Sequence, residues 1–340
     1  MERNYAIDFI KFFAIFAVVV IHTFPLDSRI EWFVLDNLSR FAVPFFFVAS
    51  GYLFGNKIIN TRESVLYFRR YVIKIVKIYV CWLIFYTIYD VLVIYLGDSD
   101  VLQELMKYFD EFTLLNLLYY GKGTSGYQLW FLTSLIWSII ILFIAYRLKK
   151  INVLLTLSFI LNIIGLFGQS YSMFFNLPIS SRDAIFLGLF YTTLGCFFAL
   201  HSQMIKSLKI NAAAFFYLFL VFSFLQVMEG YTLEKGLSGS HGEYFISTIF
   251  LTVFLFSFAL NNSQLGKGML ITKIGSNALG IYIIHVFFIK VMDMLVTILR
   301  LKSMTENSIW PQLYSLFIFV ISYLAYNGIQ SIKLTIREQK

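Results

Sequence analysis

Ten apolar runs, each near the length of a membrane-crossing helix, fill most of the chain and leave little room for another fold. They fall near residues 6–24, 37–55, 75–97, 128–146, 151–169, 184–200, 210–228, 244–260, 275–296 and 311–331. A helix needs about 20 apolar residues to cross a bilayer core, and a soluble domain does not carry so many such runs. The sequence therefore predicts an all-α polytopic membrane protein: one transmembrane domain over 1–340, short loops and no soluble domain. The 39 Phe and 22 Tyr suit interfacial aromatic belts. A formal charge of +8 does not point to nucleic acid, because basic residues in such a chain set topology and meet anionic lipid headgroups. With the N-terminus cytoplasmic, Lys and Arg of the inner segments outnumber those of the outer ones about two to one, so both termini are expected inside. Cys81 and Cys196 lie within apolar runs and lack ligand spacing, so neither a disulfide nor a metal site is expected.

The first run, AIDFIKFFAIFAVVVIHTF from Ala6 to Phe24, is the unusual one. It holds Asp8, Lys11 and His22, each costly in lipid and expected to face protein or water. These residues also make it a poor signal-peptide core, and no small-x-small cleavage site follows. Lys11 and His22 are eleven residues apart, which places them on one helix face about 16 Å from each other. Asp8 lies one turn before Lys11 on that stripe, close enough to pair with it. One helix thus carries an ion pair near its start and an imidazole most of a bilayer core away.

Several blocks, in order, resemble one family. Asp8-x-x-Lys11 with His22 resembles the opening of the acyltransferase 3 family of integral-membrane O-acyltransferases. PFFFVASGYLF (44–54), FRRYVIKIVKIYVCW (68–82), LWFL (129–132) and IGSNALGIYIIH (274–285) resemble its later blocks, so the likeness covers about residues 5 to 330. The resemblance implies transfer of an acyl group, often acetyl, from cytoplasmic acyl-CoA to a hydroxyl of an extracytoplasmic glycan or lipid-linked cell-envelope acceptor. Some members of the family carry fused hydrolase-like or racemase-like domains, and none is read in this chain. Where the family usually has Arg, this chain has Lys11, which keeps the charge and loses the planar fork.

In that light His22 is the candidate catalytic base, because imidazole titrates where a hydroxyl proton must be taken. A covalent acyl-histidine is the second route, and a helix-bridging hydrogen bond the bland one. Asp27, in HTFPLD, is a supporting residue that could orient the imidazole. Lys11, partnered by Asp8, either meets a CoA phosphate or the pantetheine arm, or serves as a helix–helix ion pair. Arg69, Arg70, Lys74 and Lys77 are the main candidates for the CoA head. Arg70, Lys74 and Lys77 recur at i, i+4 and i+7, giving one basic stripe; topology alone is the competing explanation.

Arg40 either holds an acceptor sugar or a developing oxyanion, or anchors the interface. Trp130 stacks on a sugar or belongs to an aromatic belt. Ser276, Tyr282 and His285 can face inward on one helix, with His285 as a second polar post or a structural hydrogen bond. Ser50-Gly51 reads as a close helix contact, and Lys290 with Asp293 as a local ion pair. The expected activity is acyl-CoA-dependent O-acylation of a cell-envelope carbohydrate at the cell membrane, with acetyl as the expected group and without a metal. The alternative is a transporter of a small polar solute or lipid-linked sugar.

Overall fold

A computed structural model describes residues 3–25, 29–97, 100–175, 177–202, 211–300, 307 and 309–338. In chain order the α-helices are α1 Tyr5–Thr23, α2 Ile30–Ser39, α3 Ala42–Ile59, α4 Ser64–Tyr95 and α5 Val101–Asp110. They continue with α6 Trp130–Arg147, α7 Ile151–Leu166, α8 Leu189–Leu200, α9 Ala212–Tyr231 and α10 Ile246–Asn261. α11 Leu270–Ser276, α12 Ala278–Ile298 and α13 Trp310–Glu338 complete the set. Among the described residues there is no strand. Among those residues seven segments are long and apolar enough to cross a membrane, and Ile151–Leu166, Ala184–Leu200 and Ile246–Asn261 are shorter apolar helices. Every apolar run read from the sequence therefore meets a helix, and the chain is an all-α polytopic membrane protein.

Four departures of the helices from the sequence reading stand out. The second run divides into α2 and α3 at Arg40 and Phe41. Pro44 has no N–H to give the Arg40 carbonyl and its ring would crowd that oxygen, whereas in the first turn of α3 proline is tolerated. The ninth run divides into α11 and α12 at Asn277, where Ser276 Oγ turns back to the Lys273 carbonyl (2.7 Å). Ser and Asn compete with the helix ladder in this way.

α4 begins at Ser64 rather than near 75 and runs 32 residues. That is about 48 Å, well beyond a hydrocarbon core of about 30 Å, so its polar first turns have room to stand outside. Finally, α5 Val101–Asp110 lies between the third and fourth apolar runs, where the sequence reading has no helix. Asp100 caps that helix by accepting from the N–H groups of Leu102 and Gln103 (3.1 and 3.3 Å).

The chain forms two compact bodies. The first combines Met1–Val43 with Asn262–Lys340, and the second is Pro44–Asn261. In the first, α1 buries Ala6, Ile7, Ile10, Ala14, Ile15, Ala17 and Val18 and packs against α11, α12 and α13. Asn4 caps it, its side chain accepting from the Ile7 N–H (3.3 Å). At the far end, the Thr23 and Ser315 hydroxyls meet at 2.5 Å and tie α1 to α13.

The second body is held by a backbone-close crossing of α3 and α8. A β-carbon on Gly51 would overlap the Thr192 carbonyl, and one on Gly195 would overlap the Val48 carbonyl. Small residues let helices approach where lipid offers no hydrophobic drive, which is the packing role read for Ser50-Gly51. Glu229, near the end of α9, accepts from the Ile246 and Ser247 N–H groups (2.8 and 3.0 Å) and from the Tyr171 hydroxyl (2.5 Å). Its carboxylate thus satisfies the otherwise orphaned start of α10.

Candidate active site

α1 brings two chemically distinct ends into the first body. At its start Asp8 bridges two cations: Lys11 Nζ stands 3.3 Å and Arg3 Nη2 2.6 Å from its carboxylate oxygens. The Asp8–Lys11 pairing read from their spacing is therefore present, with Arg3 as a third member. The Asp8 carboxylate, hydrogen-bonded to Arg3, pushes that guanidinium above its ordinary pKa. Arg3 and Lys267 both lie on the Tyr5 ring, 5.4 and 5.7 Å from its centroid. Beside them opens a cavity of about 440 Å³ lined by Arg3, Tyr5, Gly268, Thr272, Lys273 and Ser276. Arg3, Lys11, Lys267 and Lys273 set four positive charges against Asp8 in this region, which suits a polyanion.

Ser276 lines this cavity and is exposed, so it does not share the interior face of Tyr282 and His285. The break at Asn277 places it on a different helix. Nothing in the sequence pattern singled out Arg3, Lys267 or Lys273, which read there as topology charges.

At the other end of α1, His22 is partly buried and its ring stacks on that of His285, centroids 5.5 Å apart and planes inclined by 26°. His285 comes from α12 and is fully buried. Its Nδ1 lies 2.6 Å from the Tyr282 carbonyl, while Nε2 has no partner among the described residues. The buried Tyr282 ring lies 5.8 Å from the same imidazole. Of the residues read as functional, the fold thus gathers His22, Tyr282 and His285. Asp27 lies outside the described residues.

Arg40 is buried at the end of α2 and grips Asp36 with two hydrogen bonds, Nε to Oδ2 at 2.9 Å and Nη2 to Oδ1 at 2.7 Å. Expected to pair with Lys290, Asp293 instead accepts from the Tyr314 hydroxyl at 3.0 Å, and no ion pair joins it to Lys290. α13 thus supplies the donor that the spacing assigned to Lys290.

The remaining candidates belong to the second body. Arg69, Arg70, Lys74 and Lys77 are all exposed on α4. Trp130 is buried, with the Arg182 guanidinium 4.9 Å over its ring and Phe47 6.2 Å away. Arg182 is itself paired to Glu243 at 2.5 Å. One face of the indole is therefore covered by a cation from within the chain. A second cavity, also about 440 Å³, is lined by Asp90, Tyr108, Glu111 and Ser125. There the Asp90 carboxylate accepts from the Tyr108 hydroxyl and the Ser125 N–H (3.0 and 2.8 Å).

Comparison with known proteins bears on what this arrangement does. Two relatives from Enterococcus faecalis, each named an amino-acid racemase, are similar to the chain. One is 30% identical over 214 residues, covering 58% of this chain and 27% of the relative. The other is 25% identical over 363 aligned residues, covering 100% of this chain and 48% of the relative. The chain thus spans less than half the length of either relative. No solved structure matches. A family model described as an acyltransferase domain matches residues 4–327, a stretch holding every residue of the two polar ends of α1 except Arg3, and the chain belongs to the acyltransferase 3 family.

Proposed function

We propose that this protein moves an acyl group, most simply acetyl, from acyl-CoA on the cytoplasmic side of the cell membrane to a hydroxyl of an extracytoplasmic or lipid-linked cell-envelope carbohydrate. The observation that carries the reading is the stacked pair His22–His285, whose first member lies on α1, the helix that also holds a cationic end about 16 Å away, counted from Lys11. Acyl transfer needs a group to take the hydroxyl proton and a way to hold a polyanionic donor. Imidazole supplies the first. The cations around the Arg3–Lys273 cavity and the exposed stripe on α4 are the candidates for the second.

With both termini cytoplasmic, the start of α1 and the start of α4 face the compartment that supplies acyl-CoA. The carboxylates of the Asp90–Glu111 cavity then open outward, where they can accept from sugar hydroxyls. The test is direct. Purified protein with radiolabelled acetyl-CoA and a cell-envelope extract should release free CoA and label the extract. Intact CoA and an unlabelled extract overturn the reading.

The racemase relatives favour a second reading, in which the shared membrane portion carries a small polar solute such as an amino acid. Proteoliposomes that accumulate a labelled amino acid while acetyl-CoA stays intact would establish it.

A further inference from the structure

The two histidines are not equivalent. His285 Nδ1 faces a backbone carbonyl at 2.6 Å, and a carbonyl oxygen only accepts, so Nδ1 carries the hydrogen. The neutral ring is thereby held as the Nδ1–H tautomer, and Nε2 presents a lone pair. That nitrogen is buried and has no partner among the described residues. Other buried polar atoms also lack partners among the described residues, including the hydroxyls of Ser134 and Thr192 and the amide oxygen of Asn162, so it is the stacking of this ring on a second histidine that sets Nε2 apart. A hydroxyl, though, can rotate towards a carbonyl of its own helix, whereas this imidazole is fixed by its other nitrogen. Buried acceptors are satisfied in nearly all proteins, so an orphan of this kind marks a place where a ligand completes the bond. The ring that carries it stacks on that of His22, centroids 5.5 Å apart, which puts that place at the candidate reacting centre.

The geometry points to His285 Nε2 as the proton acceptor for the attacking hydroxyl, with His22 facing the same reacting atoms. This inference rests on the acyl-transfer reading and adds a catalytic residue to it. In the step, the acceptor hydroxyl gives its proton to Nε2 while its oxygen bonds to the thioester carbonyl carbon. The carbon–sulfur bond then breaks, and the proton passes from Nε2 to the departing sulfur, leaving an ester and a free thiol. Tautomer locking by the Tyr282 carbonyl keeps the lone pair on the nitrogen that meets substrate, as second partners do for functional histidines elsewhere.

His285→Asn separates the two roles of the ring. The asparagine amide keeps a donor for the Tyr282 carbonyl and removes the lone pair. The expected result is a kcat lower by about 10²- to 10⁴-fold, with KM for acetyl-CoA within about twofold and the elution profile of the detergent-solubilised protein unchanged. Wild-type kcat in His285→Asn overturns the inference, since the structural hydrogen bond alone would then suffice. Should that variant fail to fold, His285→Gln carries the same test, because its amide reaches the Nε2 position without a basic nitrogen. Loss of turnover in a folded Gln variant supports the inference, and retained turnover overturns it. Active wild type and inactive His22→Ala with an active His285→Asn would remove His285 alone from the mechanism. Wild type that leaves acetyl-CoA intact would sink both readings.

Discussion

Gly275 on α11 lies so close to α1 that a β-carbon there would overlap the carbonyl oxygen of Asp8. The contact is backbone on backbone, so no side chain can move aside. Gly275→Ala is therefore expected to lower stability by about 1–3 kcal/mol, as overpacked sites do. Thermal unfolding in detergent, followed by loss of the monodisperse peak, measures it. An unchanged melting temperature would show that α1 and α11 can separate freely. Because Asp8 holds Arg3 and Lys11, the variant should also weaken acyl-CoA capture if the cationic end serves that purpose.

His22 should matter to turnover far more than to folding. It is partly buried near the last turn of α1, where its removal leaves the buried stripe from Ala6 to Val20 intact. His22→Ala is expected to reduce kcat by about 10²-fold or more while leaving the unfolding temperature within a few degrees. A variant that retains full turnover removes His22 from the chemistry.

The Asp36–Arg40 pair predicts an asymmetry. Both side chains are buried, so taking away one leaves a charge in a poor solvent. Asp36→Ala is expected to cost about 3–5 kcal/mol, whereas replacing both with apolar residues of similar size should cost much less. Comparing unfolding of the single and double variants decides the matter. If Arg40 instead serves the acceptor, the double variant will fold normally yet show a raised KM for the carbohydrate.

The α4 stripe can be examined without disturbing the interior, since Arg70, Lys74 and Lys77 are exposed. Replacing all three with Gln should raise KM for acetyl-CoA about tenfold or more and flatten its dependence on salt, with kcat nearly unchanged. A KM that stays at the wild-type value would leave topology and headgroup contact as the work of the stripe. The same experiment on Arg3 and Lys273 asks whether the first-body cavity shares the load.

Some of this protein could be read directly along the chain. Apolar run length, the 3.6-residue period that aligns Asp8, Lys11 and His22, and the bias of basic residues are properties of neighbours in sequence. They predicted an all-α membrane protein, a helix over each run, and the Asp8–Lys11 pair. The break before α3 was also legible in principle, because Pro44 acts on the carbonyl four residues earlier.

Other features were decided only when helices met. Lys290 and Asp293 have the spacing of an ion pair, yet Tyr314 from another helix takes the carboxylate. The cavity at the start of α1 draws Lys273 and Ser276 from α11, a position no local pattern marks. Above all, His22 and His285 stand 263 positions apart in the chain, and each alone is an ambiguous polar residue in an apolar run. Local periodicity determines which face of a helix is polar and how far along it a group lies. Which foreign side chain fills the space beyond that face depends on helix–helix approach, set here by contacts such as Gly275 on Asp8, and that is a property of the folded molecule alone.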